Sequence, residues 1–336
     1  MTTSIISTKA IKIISSILIF LIVLVFVSNL AFAVSEATLL FLLISPSPQA
    51  NAMGQTYGNI VGKDPMATMF NPANLGLFAQ DYYFSTSYLS PKVNWLPSIT
   101  SDLNYFSRST ALGINLKDII GLPISYGISF NYIRLNLGGI VFIDENGAAT
   151  LSYFDGLEEA SSTSMALALD YYVKASFGFT HKTIISKIGP NAQAEINAYD
   201  LGFILKVPVI ELVNKFQLLE TEIFSSFRPY FIPGVYYSLA NIGDKVAYID
   251  SAQADPIPRN VSVGINIETG VKYKINNYFI DLFSFRWSRE ADDLLIKTYS
   301  DKPSEYVSGF KDIKLWDNVI VGKSNDKIIS KKGWQF

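Results

Sequence analysis

Cysteine is absent from this chain, which excludes a disulfide framework, a thiol nucleophile and a cysteine metal site together. Histidine occurs once, at His181, and a single imidazole leaves little for a zinc site or a histidine-based triad. In Phe179-Thr180-His181-Lys182 it falls at the end of a strand pattern beside a loop. With no G-x-S-x-G elbow in the chain, it reads as a solvated or interfacial residue. Charge is scarce, 17% of residues against about 25% in typical soluble domains. The formal net charge of -2 argues against a nucleic-acid partner. No lysine-serine pair follows Gly54 or Gly58, so these glycines make no phosphate loop. Nothing here calls for a cofactor or for catalysis.

Long apolar runs are confined to the start. Lys9 and Lys12 precede the run from Ile13 to Leu30, and Ala31-Phe32-Ala33 has the small-x-small form that a signal peptidase reads. Residues 1–33 therefore read as a signal peptide cleaved after Ala33. The competing reading is an uncleaved membrane helix, for which the run is nearly long enough. Beyond Leu30 only Leu39 to Ile44 is strongly apolar, too short to span a bilayer as a helix. A mature chain seated in a membrane would cross it with strands.

Aromatic residues are plentiful, 14% of the chain with 19 Tyr and 23 Phe, so much surface must be apolar or interfacial. From Asp81 onward the hydrophobic period is two. Ile124, Tyr126, Ile128, Phe130 and Tyr132 alternate with Ser125, Gly127, Ser129 and Asn131. The pattern recurs at Met165 to Val173, with Tyr172 as an exception, at Tyr199 to Val207 and at Val261 to Ile267. A secreted β-sandwich also alternates. Three features favour a transmembrane barrel: a polar face of Ser, Gly, Asn and single charges, Tyr and Phe near strand ends (Tyr82 to Phe84, Tyr278, Phe279), and the leader that supplies the route. Asp170, Lys174, Asp281 and Arg286 are then expected to point inward and pair. Asp144-Glu145-Asn146-Gly147 reads as a turn, Val209 to Phe227 as a short helix or two strands, and Ser288 to Lys314 as an exposed charged loop.

Thr38 to Gly76 fits none of this. Its apolar run is followed by Pro46 and Pro48, a small-residue turn at Met53-Gly54 and a capped turn at Asn71-Pro72-Ala73. Prolines at 46, 48, 65 and 72 would deny ladder hydrogen bonds, so the segment is no lipid-facing strand. Leu39 to Ile44 are nevertheless too apolar to trail in water, burial being worth roughly 1.5–3 kcal/mol per side chain.

The apolar run with Phe41 and Ile44, then Pro46, Met53-Gly54 and Asn71-Pro72-Ala73, resembles the N-terminal region of the PorV/PorQ family of outer-membrane proteins. A second block, Asn241 to Ile265, resembles the same family through Asn241-Ile242-Gly243, Lys245, Tyr248 and the run Pro258-Arg259-Asn260. The resemblance implies an all-β, antiparallel, FadL-like transmembrane barrel in the cell outer membrane. Residues 34–78 would fold into its lumen as a plug and 79–336 would form the barrel, with lumenal aromatics covering Leu39 to Ile44 and the inner wall meeting Asn59, Lys63 and Asp64. It further implies a non-enzymatic component of the type IX secretion system, with membrane lipid, secretion-system proteins and cargo as partners. The aromatic strands and the plug also suit a FadL-like channel for hydrophobic small molecules. Gly333-Trp334-Gln335-Phe336 reads as the start of a strand that stops, as in a barrel lacking its last strands, or as a terminal aromatic at Phe336.

Overall fold

The computed structural model describes residues 37–56, 64–94, 103–143, 149–215, 226–276, 278–299, 303–307, 315–320 and 328–335. The leader, the Asp144–Gly147 turn, Asn59, Lys63 and Phe336 lie outside them. Ten strands join in chain order into one antiparallel sheet: β1 (Phe84–Asn94), β2 (Asn104–Asn115), β3 (Ile124–Ile143), β4 (Ala149–Asp170), β5 (Lys174–Lys187), β6 (Gln193–Lys206), β7 (Phe227–Gly243), β8 (Asn260–Ile275), β9 (Tyr278–Leu294) and β10 (Ile328–Gln335). The alternation thus specified an antiparallel all-β chain, and β1 and β10 are the end strands of the described pairing.

The two faces of this sheet are reversed relative to a water-soluble protein. Ser129 and Ala168 are 0% exposed, while their outward neighbours Phe130 and Leu167 are 50% and 51% exposed. Met165, Phe177, Phe179, Tyr199 and Phe203 continue the open apolar face. Exposed apolar area on this scale marks contact with another apolar phase. Toward the ends of β8 and β9 the helical turn Leu315–Ile320 lies on that face, where Val319 packs with Ala291, Ile328 and Ile265.

The described residues of the segment 37–82 occupy the covered face. Among the described residues they hold no strand: two 3-10 turns, Leu40–Leu43 and Pro65–Met69, alternate with α1 (Pro48–Ala52) and α2 (Asn74–Asp81). The prolines sit where helix starts tolerate them. Pro48 and Pro65 open their turns, capped by the Ser47 and Asp64 side chains, which accept from the Ala50 and Met66 amides. Ser107 of β2 touches Met66, and Ser288 of β9 donates to Thr56 at 2.8 Å. A flat ten-strand sheet would be about 43 Å wide at the usual strand spacing. The segment meets strands from β2 to β10 across that width.

Several expectations are corrected. Ser288 to Leu294 belong to β9 rather than to a loop, with Ser288, Glu290 and Asp292 buried on the covered face; a polar interior and a solvated loop have the same composition. Arg286 and Asp281, five residues apart, share the inward face as expected, because the register passes from Val271↔Phe283 to Lys272↔Asp281 and skips Leu282, although Asp281, near the strand's start, stays exposed. Such a bulge reverses the alternation. Asp170 stands opposite Lys174 in the β4–β5 ladder and also lies 3.7 Å from Lys117 of the helical turn after β2, and Tyr172 sits in the 171–173 turn beneath the Lys215 ammonium rather than on an inner face. His181 is mid-strand in β5. Val209–Lys215 is a helix, and α2 runs past the expected boundary at 78. Gly333 to Gln335 lie in the second half of β10, paired with Ser288 to Arg286.

Glycine sets how closely the segment can approach. A Cβ on Gly178 of β5 would overlap the Pro72–Ala73 backbone, with the Ala73 nitrogen at 2.5 Å. Gly178→Val should therefore cost about 1–3 kcal/mol by overpacking, read as a lower urea midpoint in detergent micelles. A wild-type midpoint would contradict this packing.

Candidate functional site

The start of the first sequence block meets the second. β7 stops at Gly243, and just before it Asn241 adopts a left-handed φ of 58°, which asparagine accepts better than most residues. This turn makes Asn241 a hub. Its amide donates to Asp200 Oδ1 at 2.8 Å, its Nδ2 to the Pro258 carbonyl at 2.9 Å, and its Oδ1 accepts from Lys182 Nζ at 2.8 Å. The Lys182 ammonium also stands 2.8 Å from Asp200 Oδ2, and both side chains are buried.

From that hub the connection 244–259 folds back over the covered face. Val246 and Asp255 form an isolated antiparallel bridge, and Lys245 Nζ donates to the Ser304 carbonyl at 2.7 Å. Arg259 donates to the Gly243 carbonyl and lies 3.7 Å over the Tyr306 ring. Tyr306 accepts from the Ile257 amide and donates to the Asp244 carbonyl. Burial raises the Tyr306 phenol above its ordinary pKa, partly offset by the Ile257 N–H and the Arg259 charge.

The first block meets this cap at its own start. Thr38 donates to the Pro256 carbonyl at 3.1 Å, and Leu39 and Phe41 share a core with Val246, Ile257, Ile133 and Ile184. Tyr105, Tyr248 and Tyr306 together with aliphatic side chains cover this run, and Tyr105 donates to the Ile44 carbonyl at 3.3 Å. Leu40 and Leu43 stay partly exposed. Beneath the cap, Leu42, Ile44, Pro46, Met69, Ile133 and Lys182 line a narrow cleft.

The remaining motif residues are spread along the sheet. Buried Met53 ends α1, and Gly54, at φ 66°, abuts the Lys332 carbonyl of β10. Asn71 accepts from the Ala73 amide at 3.0 Å, the expected cap, and donates to the Tyr237 carbonyl at 3.3 Å. Asp64 turns to Ser47 and Met66, not to the sheet wall. Ile242 and Asn260 hold ladder positions against Tyr199 and Ala240. Phe41 and Ile44 thus join the second block, whereas Met53, Gly54 and Asn71 to Ala73 do not reach it.

Sequence reading missed the Lys182–Asp200 pair and Tyr306. Lys182 and Asp200 had one available signal, each being a charge on the small-residue face of its strand. No His, Cys, Asp or Glu cluster suited to a metal occurs among the described residues. No family model and no curated protein matches the chain.

Lys182→Met strands the Asp200 carboxylate in a buried site and should cost about 3–5 kcal/mol. Adding Asp200→Asn removes that charge, keeps an oxygen for the Asn241 amide, and should recover most of the loss in urea unfolding. A double variant no more stable than the single one would contradict the pairing.

Proposed function

We propose that this chain is an outer-membrane β-barrel of the PorV type, closed around residues 34–82 as a plug, that serves type IX protein secretion by binding partner or cargo proteins without catalysis. The reversal of the sheet's faces carries the membrane part of the reading. On β3 the outward residues run from Ile124 to Tyr132, about 27 Å of strand at the usual rise and about 20 Å along the membrane normal at the usual tilt. Exposed Ile119, Ile120 and Leu122 extend the band at its lower edge. Tyr83, Tyr171 and Tyr278 stand exposed at that edge. Tyr88, Tyr132 and Tyr199 lie together at the other, because the ladder pairs Tyr88 with Arg108, Arg108 with Tyr132, and His181 with Tyr199. Two aromatic girdles about an apolar band are what a bilayer selects.

The secretion part rests on the resemblance and on the cap that joins its two blocks. Connections 244–259 and 295–327 emerge at one end of the strands, and the short turns 171–173 and 276–277 at the other. The long connection 207–226 leaves at the same end as those short turns, so the outward placing of the cap, with Ile249 at its exposed tip, rests on the resemblance. A second reading, a FadL-like channel for hydrophobic small molecules, is favoured by the aromatic-rich strands and by the non-strand segment on the covered face. Long-chain fatty-acid uptake unchanged by deletion of the gene would count against it. On the secretion reading, the deletion traps cargo in the periplasm, as fractionation and immunoblotting would show, and normal export in the deletion strain would overturn it.

A further inference from the structure

The open face of β1 to β6 carries one interruption in its apolar surface. Two adjacent rows cross it. One runs Tyr88, Arg108, Tyr132, Ser161, Thr183 and Asn197, and the next runs Thr86, Thr110, Phe130, Thr163, His181 and Tyr199. Below them lies the apolar row of Leu112, Ile128, Met165, Phe179 and Leu201, and above them a charged row with Arg134, Glu159 and Glu195. Hydroxyl side chains and His181 therefore face outward at the level of the Tyr88–Tyr132–Tyr199 girdle. They line a concavity of ≈ 730 Å³ with Arg108.

Arg108 gives this patch its sign. It is exposed, and among the described residues no carboxylate lies within ion-pairing distance of it. The neighbouring Glu159 instead accepts from Tyr132 at 2.6 Å, and Arg134 Nε donates to Asn136 at 2.8 Å. An arginine on the lipid face of a barrel is costly at the bilayer midplane and nearly free at its edge. At that edge the abundant anion is the lipid phosphate. A guanidinium with an imidazole and the Ser161 and Thr163 hydroxyls along the same concavity offers donors of the kind that bind phosphate, while Thr110 and Thr183 already donate to Thr86 and Asn197.

We propose that Arg108, with Ser161, Thr163 and His181, forms a docking site for the phosphate headgroup of an anionic membrane lipid in the leaflet on the side of the 244–259 cap. The site rests on the barrel reading above. Its lipid tails lie along the apolar row below, and the charged row above closes the site toward water. Free inorganic phosphate has no tails to hold there and binds weakly.

The test uses the full mature chain in detergent, titrated with phosphatidylglycerol or phosphatidylcholine and read by native mass spectrometry, with insertion into vesicles measured in parallel. The wild-type chain should retain phosphatidylglycerol in preference to phosphatidylcholine, and inorganic phosphate should not displace it. Arg108→Gln should lower phosphatidylglycerol affinity about tenfold, the lower end for hydrogen bonds to a charged group, while Arg134→Gln keeps the wild-type preference. A chain that inserts but whose Arg108→Gln variant binds phosphatidylglycerol like the wild type overturns the site and leaves the barrel standing. Displacement by inorganic phosphate alone overturns the lipid assignment. A chain that does not insert overturns both.

Discussion

The structure depends on hydroxyl groups of the sheet meeting backbone carbonyls of the segment that lies on it. Ser125 of β3 donates to the Gly76 carbonyl at 2.9 Å, Ser176 of β5 to Ala73 at 2.6 Å, and Ser238 of β7 to Phe70 at 2.6 Å. An irregular segment has carbonyls and amides that no ladder pairs, and burying them unpaired would cost more than its apolar contacts return. The serines resolve this conflict from the other side. Thr68 extends the same logic by bonding Ser129 and Asn131. Because each hydroxyl stands on a different strand, satisfying one short stretch of chain ties strands β3, β5 and β7 to it. The placing of the serines and the burial of the segment are one constraint.

A polar inner face then determines the rest of the sequence's chemistry. Charges placed there must be paired, and they are: Lys206 meets Glu268 at 2.6 Å with Arg286 nearby, and Lys331 lies between Glu290 and Asp292. Buried pairs of this kind add little net stability over apolar replacements, but losing one partner is severe. They therefore act mainly to fix the register of the strands that carry them. Apart from the core around Ile133 and Ile184 under the cap, most large apolar side chains of β3 to β6 occupy the outer face, where water would penalise them and hydrocarbon would not.

Much of this was legible because the side-chain period of a strand is two. The alternation through Ile124–Tyr132 and Met165–Leu169 placed Ser125, Ser129 and Ala168 on one face before any coordinates did. The prolines and Met53-Gly54 likewise marked 38–76 as something other than a strand. Other features were hidden for physical reasons. Glu290 and Asp292 looked like loop residues, since a paired charge in a polar interior leaves no mark in composition. The bulge at Leu282 is an arrangement of hydrogen bonds, without a residue type of its own, and only the register shows how Asp281 and Arg286, five residues apart, come to share a face. The hub at Asn241 joins residues far apart in sequence, and only the fold brings Lys182, Asp200 and Pro258 to it.

The central claim is that the sheet carries lipid on one face and its own N-terminal segment on the other. Absence of cysteine makes single-site spin labelling direct. Labels at Phe130→Cys, Leu167→Cys, Phe177→Cys and, on the covered face, Ser129→Cys would be placed in the chain reconstituted in vesicles and probed with oxygen and a water-soluble nickel chelate. The account predicts that the first three collide freely with oxygen and hardly with the chelate, while the Ser129→Cys label is shielded from both. Ready access of the chelate to Phe130→Cys, Leu167→Cys and Phe177→Cys would place the apolar face in water and contradict it.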